Sequence, residues 1–252
     1  MLSEHTTKTA ASALEAAEVA ILPTGSTEQH GPALPLGTDH LVAEAFARTA
    51  ADREDAVVLP TVPVGVSGHH RQFPGTLHVS PETFEAYVVE TVESVAAHGV
   101  RKAVVVNGHG GNDGALDRAA RRLRGSETAF APSWNWWEAV SALADELFDE
   151  EGGHADAAES SLVWALRPEL VRSDELAAAE AGASAGWGES VHGAELGFDT
   201  ADFSESGAVG EPTLADPEGG ERLFEAASAE LSALIDRLAA RPLEDCWPRP
   251  HR

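Results

Sequence analysis

Short apolar runs without polar alternation are the feature that most restricts the fold of this chain. Residues 103–106 read AVVV, residues 19–22 read VAIL, and residues 56–59 read AVVL. A strand that is apolar at every position is covered on both faces, as in the parallel sheets of α/β proteins. We therefore expect parallel strands at these three places, and 62–64 is a candidate for one more.

Helical patterns separate the apolar runs. The clearest is SPETFEAYVVETVESVAAHG at 80–99, where Ser80 is a typical N-cap, Pro81 suits the first helical position and Gly99 is a typical stop. Further helices are expected at 38–52, 114–124 and 216–240. Strands that alternate with helices predict an α/β fold with a mainly parallel sheet covered by helices on both faces.

The charge of the chain excludes several kinds of partner. Its 252 residues hold 42 Asp and Glu against 17 Lys and Arg, a formal net charge of -25. Such a sequence lacks the basic stripe that nucleic acid or an anionic membrane surface requires. An acidic surface with only two lysines, Lys8 and Lys102, suits a protein that stays hydrated in concentrated salt. We expect a halophilic source, and an acidic mesophilic protein is the alternative.

Cysteine content and hydropathy indicate a cytoplasmic protein. Cys246 is the only cysteine, so no internal disulfide can form. Residues 1–16 lack the basic start and apolar run of a signal peptide, and no stretch approaches the roughly 18 apolar residues of a membrane helix. With 43% hydrophobic residues and no internal repeat, the chain is expected to form a single domain over residues 1–252.

Two loops that follow predicted strands hold side chains with an affinity for metals. GSTEQHGPALPLGTDH at 25–40 contains Glu28, His30, Asp39 and His40, and NGHGGN contains His109. Loops at the carboxyl ends of parallel strands meet in one crevice, so we expect these two to converge. Nitrogen and oxygen ligands without thiolate suit a catalytic Zn²⁺, Mn²⁺ or Fe²⁺ site, and a carboxylate such as Asp39 can bridge two ions. The alternative to metal binding is a role in a helix cap or a polar turn. This alternative is strongest for His40, because His40 lies next to the start of a predicted helix.

Four motifs together resemble the creatininase family of metal-dependent amidohydrolases. They are GSTEQHGPALPLGTD, FPGTLHVSPETF, VVVNGHGGN and HADAAESS, in order from about residue 19 to 172. The resemblance implies a three-layer α/β/α sandwich that often assembles as a homo-oligomer, a hexamer. It also implies that Glu28, His30, Asp39 and His109 bind two divalent ions (Zn, Mn or Fe), with Asp39 at the bridging position.

One departure from the family pattern concerns the second ion. Creatinine hydrolases resemble NGHYEN at the second loop, where the Glu completes the second metal, whereas Gly110 and Gly111 stand here. Glu159 in HADAAESS is the candidate replacement ligand, and a carboxylate on a helix surface is the alternative. The same segment makes His154 and Glu151 candidates for passing a proton to the leaving nitrogen.

Substrate contacts are expected from three further residues. His70 in GVSGHHRQFPGT falls where the family lines its pocket, with a surface position as the alternative. Trp136 and Trp137 in SWNWWEA suit the wall of a pocket for a flat heterocycle, although aromatic clusters also pack cores and subunit contacts. The small-residue-rich segment 175–190 indicates a mobile loop or a decorated surface segment.

These features predict a metal-dependent hydrolase of carbon–nitrogen bonds other than peptide bonds, acting on a small molecule through a metal-activated water. The family offers three substrates. A formamidopyrimidine nucleotide of flavin and deazaflavin synthesis is attractive if the source is haloarchaeal, and the missing Glu argues against creatinine. SESGAVGEP at 204–212 resembles mycofactocin precursor peptidases, which is the close alternative. A catalytically silent scaffold that binds a metabolite is the alternative of another class, and the intact ligand positions argue against it.

Overall fold

A four-stranded, fully parallel sheet forms the centre of the computed structural model, which describes residues 1–149 and 152–249. The strand order is β2-β1-β3-β4, with β1 (Val19–Thr24), β2 (Ala56–Val58), β3 (Ala103–Asn107) and β4 (Ser133–Asn135). The helices are α1 (Thr7–Ala16), α2 (Thr38–Arg48), α3 (Pro81–Ala96), α4 (Asp113–Gly125), α5 (Trp136–Ala139), α6 (Ser141–Phe148), α7 (Ala157–Leu166), α8 (Leu176–Ala181) and α9 (Pro217–Ala239). A separate hairpin pairs β5 (Ser190–Val191) with β6 (Ala194–Glu195). Within the described ranges, no helix has the length and apolar character needed to cross a membrane.

Helices cover both faces of the sheet because successive side chains of a strand point to opposite sides. Ile21 of β1 packs in one buried cluster with Phe46 of α2 and Leu231 of α9. Its neighbour Leu22 packs in the other cluster with Phe84 of α3. All six residues of β1 are buried, as an apolar run without alternation predicts. The three-layer α/β/α arrangement expected from the sequence is confirmed.

The helix signals at α3 and α9 lie close to the observed helix ends, whereas α2 ends at Arg48, four residues before the predicted end. Ser80 caps α3 by accepting a hydrogen bond from the N–H of Thr83 at 3.2 Å, and Pro81 is the first helical residue. Gly99, three residues after α3, has a φ of +101°, which residues with a Cβ rarely adopt. Asp216 caps α9 in the same manner as Ser80 caps α3.

Two parts of the sheet differ from the prediction. The strand predicted at 62–64 is wrong: Val62 alone forms a bridge, to Thr24, and Pro63 has no N–H with which to continue the ladder. Conversely, β4 was not predicted. It is a three-residue edge strand whose central residue, Trp134, packs edge-on against Phe46 with ring centroids 5.5 Å apart. So short an edge strand shows no periodicity in the sequence.

Two glycines bring helix α2 against the ends of β1 and β3. A Cβ on Gly25, directly after β1, would lie 2.4 Å from the backbone nitrogen of His40. A Cβ on Gly108, directly after β3, would lie 2.2 Å from the backbone oxygen of Asp39. Neither position has space for a side chain. The first turn of α2 is therefore in contact with both loops that the sequence singled out.

Candidate metal centre

Among the described residues, six side chains of types that can bind metals converge at the carboxyl end of the sheet. They are Glu28 and His30 after β1, Asp39 in the first turn of α2, His109 after β3, His154 just before α7, and Glu159 in the first turn of α7. The first five are buried, and the Glu159 side chain keeps 13% of its exposure. Carboxylates in such an interior require compensation by positive charge.

Asp39 lies between two groups of ligand atoms. Its Oδ1 is 2.9 Å from His30 Nε2, and its Oδ2 is 3.2 Å from His109 Nδ1. Glu28 Oε1 is also 3.2 Å from His109 Nδ1, while Glu159 Oε2 is 3.6 Å from His30 Nε2. Three groups of described residues have ligand atoms that all lie within 4.8 Å of one another. Asp39 lies between two of them, which are Glu28, Asp39 and His109, and His30, His154 and Glu159; the third is Glu28, His70 and His154.

Backbone carbonyls fix the orientation of the three histidines. His30 Nδ1 lies 3.2 Å from the carbonyl oxygen two residues earlier. His109 Nε2 lies 3.1 Å from the carbonyl of Val66, and His154 Nε2 is 2.8 Å from the carbonyl of Gln29. A carbonyl only accepts, so each of these nitrogens donates its hydrogen. The side-chain amide nitrogen of Gln29 is also 2.9 Å from His154 Nε2, but its two hydrogens have other acceptors in His70 Nδ1 and the Gly207 carbonyl. The other nitrogen of each ring faces the carboxylates, which is the arrangement that metal-binding histidines use.

Buried atoms without hydrogen bonds support a fit to divalent ions. Both carboxylate oxygens of Glu28, Oδ2 of Asp39 and Nε2 of His30 are buried and accept or donate no hydrogen bond within the described residues. Buried polar atoms in proteins are nearly always bonded. Nitrogen and oxygen donors around a carboxylate shared by two groups are the donor set of two-metal hydrolases. The residues present therefore fit a pair of ions.

Without an ion, the histidines compensate the carboxylates. Burial acts to lower the pKa of His30, but Asp39 and Glu159 outweigh it and raise this pKa well above 6.5. Burial likewise opposes the charged form of His109, and Glu28 and Asp39 nevertheless raise its pKa well above 6.5. Burial acts to raise the pKa of Glu28, yet His109 and other neighbours lower it to about 2. Ions that bind here must displace protons from His30 and His109.

Gly111 stands where the family pattern has a carboxylate, and no side chain fits there. A Cβ at Gly111 would lie 2.4 Å from His109 Nε2 and 2.4 Å from the carbonyl of Val66. The ring of His69 fills the remaining space, 3.0 Å from that Cβ, and stacks on His109 with centroids 5.7 Å apart and planes 8° apart. A carboxylate for the second group of ligands must come from another element.

Glu159 offers that carboxylate from α7. Asp156 caps the helix by accepting a hydrogen bond from the Glu159 N–H at 2.8 Å, and Glu159 Oε2 accepts one from the N–H of Ala155 at 2.7 Å. The helix starts at Ala157, so Glu159 lies inside its first turn. Its oxygen faces His30 instead of solvent, and its role as a ligand stays a prediction.

His70 lies beside the cluster in a different orientation. Its Nδ1 is 2.8 Å from the side-chain amide nitrogen of Gln29 and 2.9 Å from the hydroxyl oxygen of Thr200. An amide nitrogen only donates, so Nδ1 accepts and the hydrogen lies on Nε2, 3.3 Å from Glu28 Oε1. Burial and the neighbouring His154 lower the pKa of His70, which keeps its ring neutral. His70 Nε2 therefore faces a carboxylate of the centre without forming a hydrogen bond to it, and the predicted contact of His70 with substrate is untested.

The two candidates for proton transfer have different outcomes. His154 is buried in the cluster, with its Nδ1 3.8 Å from Glu28 Oε1 and its ring centroid 4.3 Å from that of His30. Burial and the nearby His30 lower the pKa of His154. The geometry adds a possible ligand role that the sequence did not suggest. Glu151 lies outside the described residues.

A cavity of about 660 Å³ opens on the cluster. Trp136 and Trp137 line it, and their contact with substrate stays a prediction. Trp136 also belongs to the core, where it stacks on Phe46 with centroids 6.4 Å apart. Trp187 lines the cavity as well and was missed in the sequence. The only signal was an isolated tryptophan among small residues in SAGWGES.

Comparisons with known proteins agree with this geometry. A family model described as "Creatininase: Creatinine amidohydrolase" matches residues 3–235. The mycofactocin precursor peptide peptidase of Mycolicibacterium smegmatis is 36% identical over 212 residues, which cover 81% of this chain and 78% of that protein. The 2-amino-5-formylamino-6-ribosylaminopyrimidin-4(3H)-one 5'-monophosphate deformylase of Methanobrevibacter smithii is 32% identical over 101 residues, which cover 38% of this chain and 41% of that protein.

Solved structures of creatininase share the fold. Two of them, a mutant of the Zn–Zn type and a manganese form, have TM-scores of 0.79 and 26% identity, and cover 95% of this chain and 98% of theirs. The family model spans most of the sequence. This chain belongs to the creatininase family of amidohydrolases.

Proposed function

We propose that this protein cleaves an amide carbon–nitrogen bond in a short peptide, the alternative suggested by SESGAVGEP, in place of the non-peptide bond expected first, and uses two divalent ions (Zn, Mn or Fe). The residues proposed to hold the ions are Glu28, His30, Asp39, His109 and Glu159. The observation that carries this proposal is the position of Asp39, whose two oxygens face one histidine of each ligand group. A carboxylate in that position suits a bridge between two ions.

Bound ions of this kind activate a water molecule and polarise the scissile carbonyl. His154 would handle the proton, because its Nδ1 faces the cluster while its Nε2 is committed to the carbonyl of Gln29. Burial lowers its pKa, so the resting ring is neutral and accepts a proton at Nδ1. A ring with a lowered pKa then releases that proton readily to the leaving nitrogen.

The charges around the cavity support a substrate without a phosphate. Among the described residues that line it, none is lysine or arginine, and four are carboxylates besides the bridging one. These are Asp113, Asp145, Asp156 and Glu159. Phosphate sites in proteins are usually built from arginine, lysine or backbone N–H groups. The lining therefore favours a peptide over the 5'-monophosphate that the deformylase relative is named for, as does the longer match to the peptidase relative.

A panel of three substrates tests the proposal. Metal-loaded protein is expected to cleave a short peptide that ends in Val-Tyr faster than a formylaminopyrimidine nucleotide, with creatinine the poorest substrate. An Asp39→Asn variant, which keeps the shape and loses the bridging charge, serves as the inactive control. Faster turnover of the nucleotide would replace the peptide by the deformylase reaction. A fully loaded protein that cleaves none of the three would favour the silent scaffold.

A further inference from the structure

Trp187 lies over the metal centre on a segment to which the proposed reaction assigns no role. The segment, residues 183–199, contains the β5–β6 hairpin. The centroid of the Trp187 ring lies 6.1 Å from that of His154, 6.3 Å from that of His69 and 6.4 Å from that of His70. The residue is nonetheless 45% exposed and lines the cavity. Trp187 thus contacts the histidines of the centre and leaves much of its surface open to a substrate.

Both ends of the segment are fixed to residues of the centre. At the beginning, Ser184 pairs with Val209, which in turn pairs with His154 through two backbone hydrogen bonds of 2.8 and 3.2 Å. At the end, the carboxylate of Asp199 accepts a hydrogen bond from Arg71 at 2.6 Å. The segment is therefore held at two points beside the site. A loop that served only to connect α8 with α9 would not need these contacts.

The backbone next to His154 is shaped to receive the indole. A Cβ on Gly153 would lie 2.6 Å from Trp187 Nε1 and 3.4 Å from its Cε2. Only glycine at this position permits the observed contact. The ring of Phe203 also packs edge-on against Trp187, with the two ring centroids 6.1 Å apart. These neighbours restrict the orientation of the indole relative to the metal centre.

The other side chains that line the cavity indicate which kind of substrate group would bind beside Trp187. Six aromatic rings line the cavity: Trp136, Trp137, Phe148, Trp187, Phe198 and Phe203. Phe198 belongs to the same segment as Trp187 and is 81% exposed, an apolar ring that a bound apolar group would cover. Aromatic rings pair in edge-to-face or offset arrangements, with a gain beyond that of apolar burial alone.

We infer that Trp187 is a specificity-determining residue that binds an aromatic side chain of the peptide near the scissile amide. The inference rests on the proposed peptide hydrolysis and adds which peptides are preferred. It also gives segment 183–199 a function, which is to hold an aromatic wall above the ions. Trp187 takes no part in the bond-breaking step, so its removal affects binding of the substrate more than turnover.

Two peptides that differ only at the last residue, one ending in Val-Tyr and the other in Val-Ala, test this inference. For Trp187→Ala, KM for the Val-Tyr peptide is expected to rise about tenfold, from the lost aromatic pair and its apolar burial. KM for the Val-Ala peptide is expected to change by less than about twofold, because alanine has little surface to lose. Trp187→Phe should restore most of the preference. Metal content, measured by elemental analysis, should equal that of the wild type.

A second variant tests the position of the ring. Gly153→Ala displaces the indole. In a protein that keeps Trp187, it should therefore raise KM for the Val-Tyr peptide as Trp187→Ala does. In a protein that already carries Trp187→Ala, Gly153→Ala should cause no further rise in this KM. Such non-additivity in a double-mutant cycle is expected of two residues that act through one contact. Trp247→Ala is the matched control, since that ring lies over Arg101, 4.9 Å from its guanidinium carbon, outside the cavity lining.

The outcomes separate this inference from the proposed function. An equal rise in KM for both peptides, or loss of metal in Trp187→Ala, would overturn the specificity role while peptide hydrolysis stands. A wild-type protein that holds its metal and cleaves neither peptide would overturn the proposed function and the inference with it. A selective loss for the Val-Tyr peptide in both Trp187→Ala and Gly153→Ala supports it.

Discussion

Replacing Glu159 by glutamine removes one negative charge from the centre and changes little else. The carboxylate accepts a hydrogen bond from the N–H of Ala155 at 2.7 Å, and the carbonyl oxygen of glutamine can accept the same bond. The charge also lies in the first turn of α7, where its loss costs about 0.3–1 kcal/mol of helix stabilisation. We therefore expect Glu159→Gln to fold as the wild type does and to melt within a few degrees of it.

The effect on metal binding should be much larger. Glu159 Oε2 lies 3.6 Å from His30 Nε2, and without its charge the ion held at His30 keeps only Asp39 as an anionic ligand. Changes in residues that merely support a ligand already cost about 10–100-fold in metal affinity. The loss of a charged ligand is expected to weaken this ion by at least about 100-fold, or about 2.8 kcal/mol at 1.4 kcal/mol per factor of ten. Most of the hydrolytic activity should disappear with it.

Elemental analysis after dialysis measures this effect directly. The wild type is expected to retain two divalent ions per chain and Glu159→Gln one. Glu218→Gln is the matched control, because Glu218 occupies the first turn of α9 behind an Asp N-cap, as Glu159 does in α7, but is exposed. The control should keep both ions. A Glu159→Gln variant that retains two ions with wild-type affinity would refute the assignment.

Three further outcomes are expected. Chelation should abolish hydrolysis, and return of Zn²⁺, Mn²⁺ or Fe²⁺ should restore it; full activity in metal-free protein would refute the two-ion centre. In chelated protein, the pKa values of His30 and His109 are raised, so their protonation contributes stability that is fully present below about pH 6.5. This contribution is lost as the pH rises through the raised pKa values of the two histidines. Thermal melts above pH 6.5 should therefore show falling stability in chelated but not in metal-loaded protein. Gly111→Ala should cost about 1–3 kcal/mol of unfolding free energy through overpacking, whereas Gly110→Ala, with no atom within 4 Å of its Cβ, should cost far less.

The ligand cluster could be predicted because it depends on short-range signals. Glu28 and His109 follow continuous apolar strands, and parallel strands place their carboxyl ends at one edge of the sheet. The resemblance to the family then predicts Asp39 at the bridging position, and this role stays a prediction. The halophilic source and the hexamer follow from charge and family alone, and both stay predictions.

The parts that were not predicted depend on contacts between distant segments. Trp187 acquires its position from Gly153, 34 residues earlier, and no periodicity links the two. The place of His154 among possible ligands follows from a hydrogen bond to the carbonyl of Gln29, which only the tertiary fold brings near. The edge strand β4 was missed because three residues are too few to show a pattern.

The proposed use of Glu159 on α7, in place of a carboxylate at Gly111 in the second loop, makes the metal centre depend on a different part of the fold. A ligand at Gly111 would be held by the loop after β3, a fully buried strand, whereas Glu159 is held by the start of a helix. That helix is positioned mainly by α9: a Cβ on Gly220 would lie 2.0 Å from the Ser161 carbonyl, so the two backbones are in direct contact. The Ser161 hydroxyl also accepts a hydrogen bond from the N–H of Asp216, the cap of α9, at 2.8 Å. Packing between α7 and α9 thus determines where one proposed ligand lies, while the others lie on the loops after β1 and β3 and in the first turn of α2.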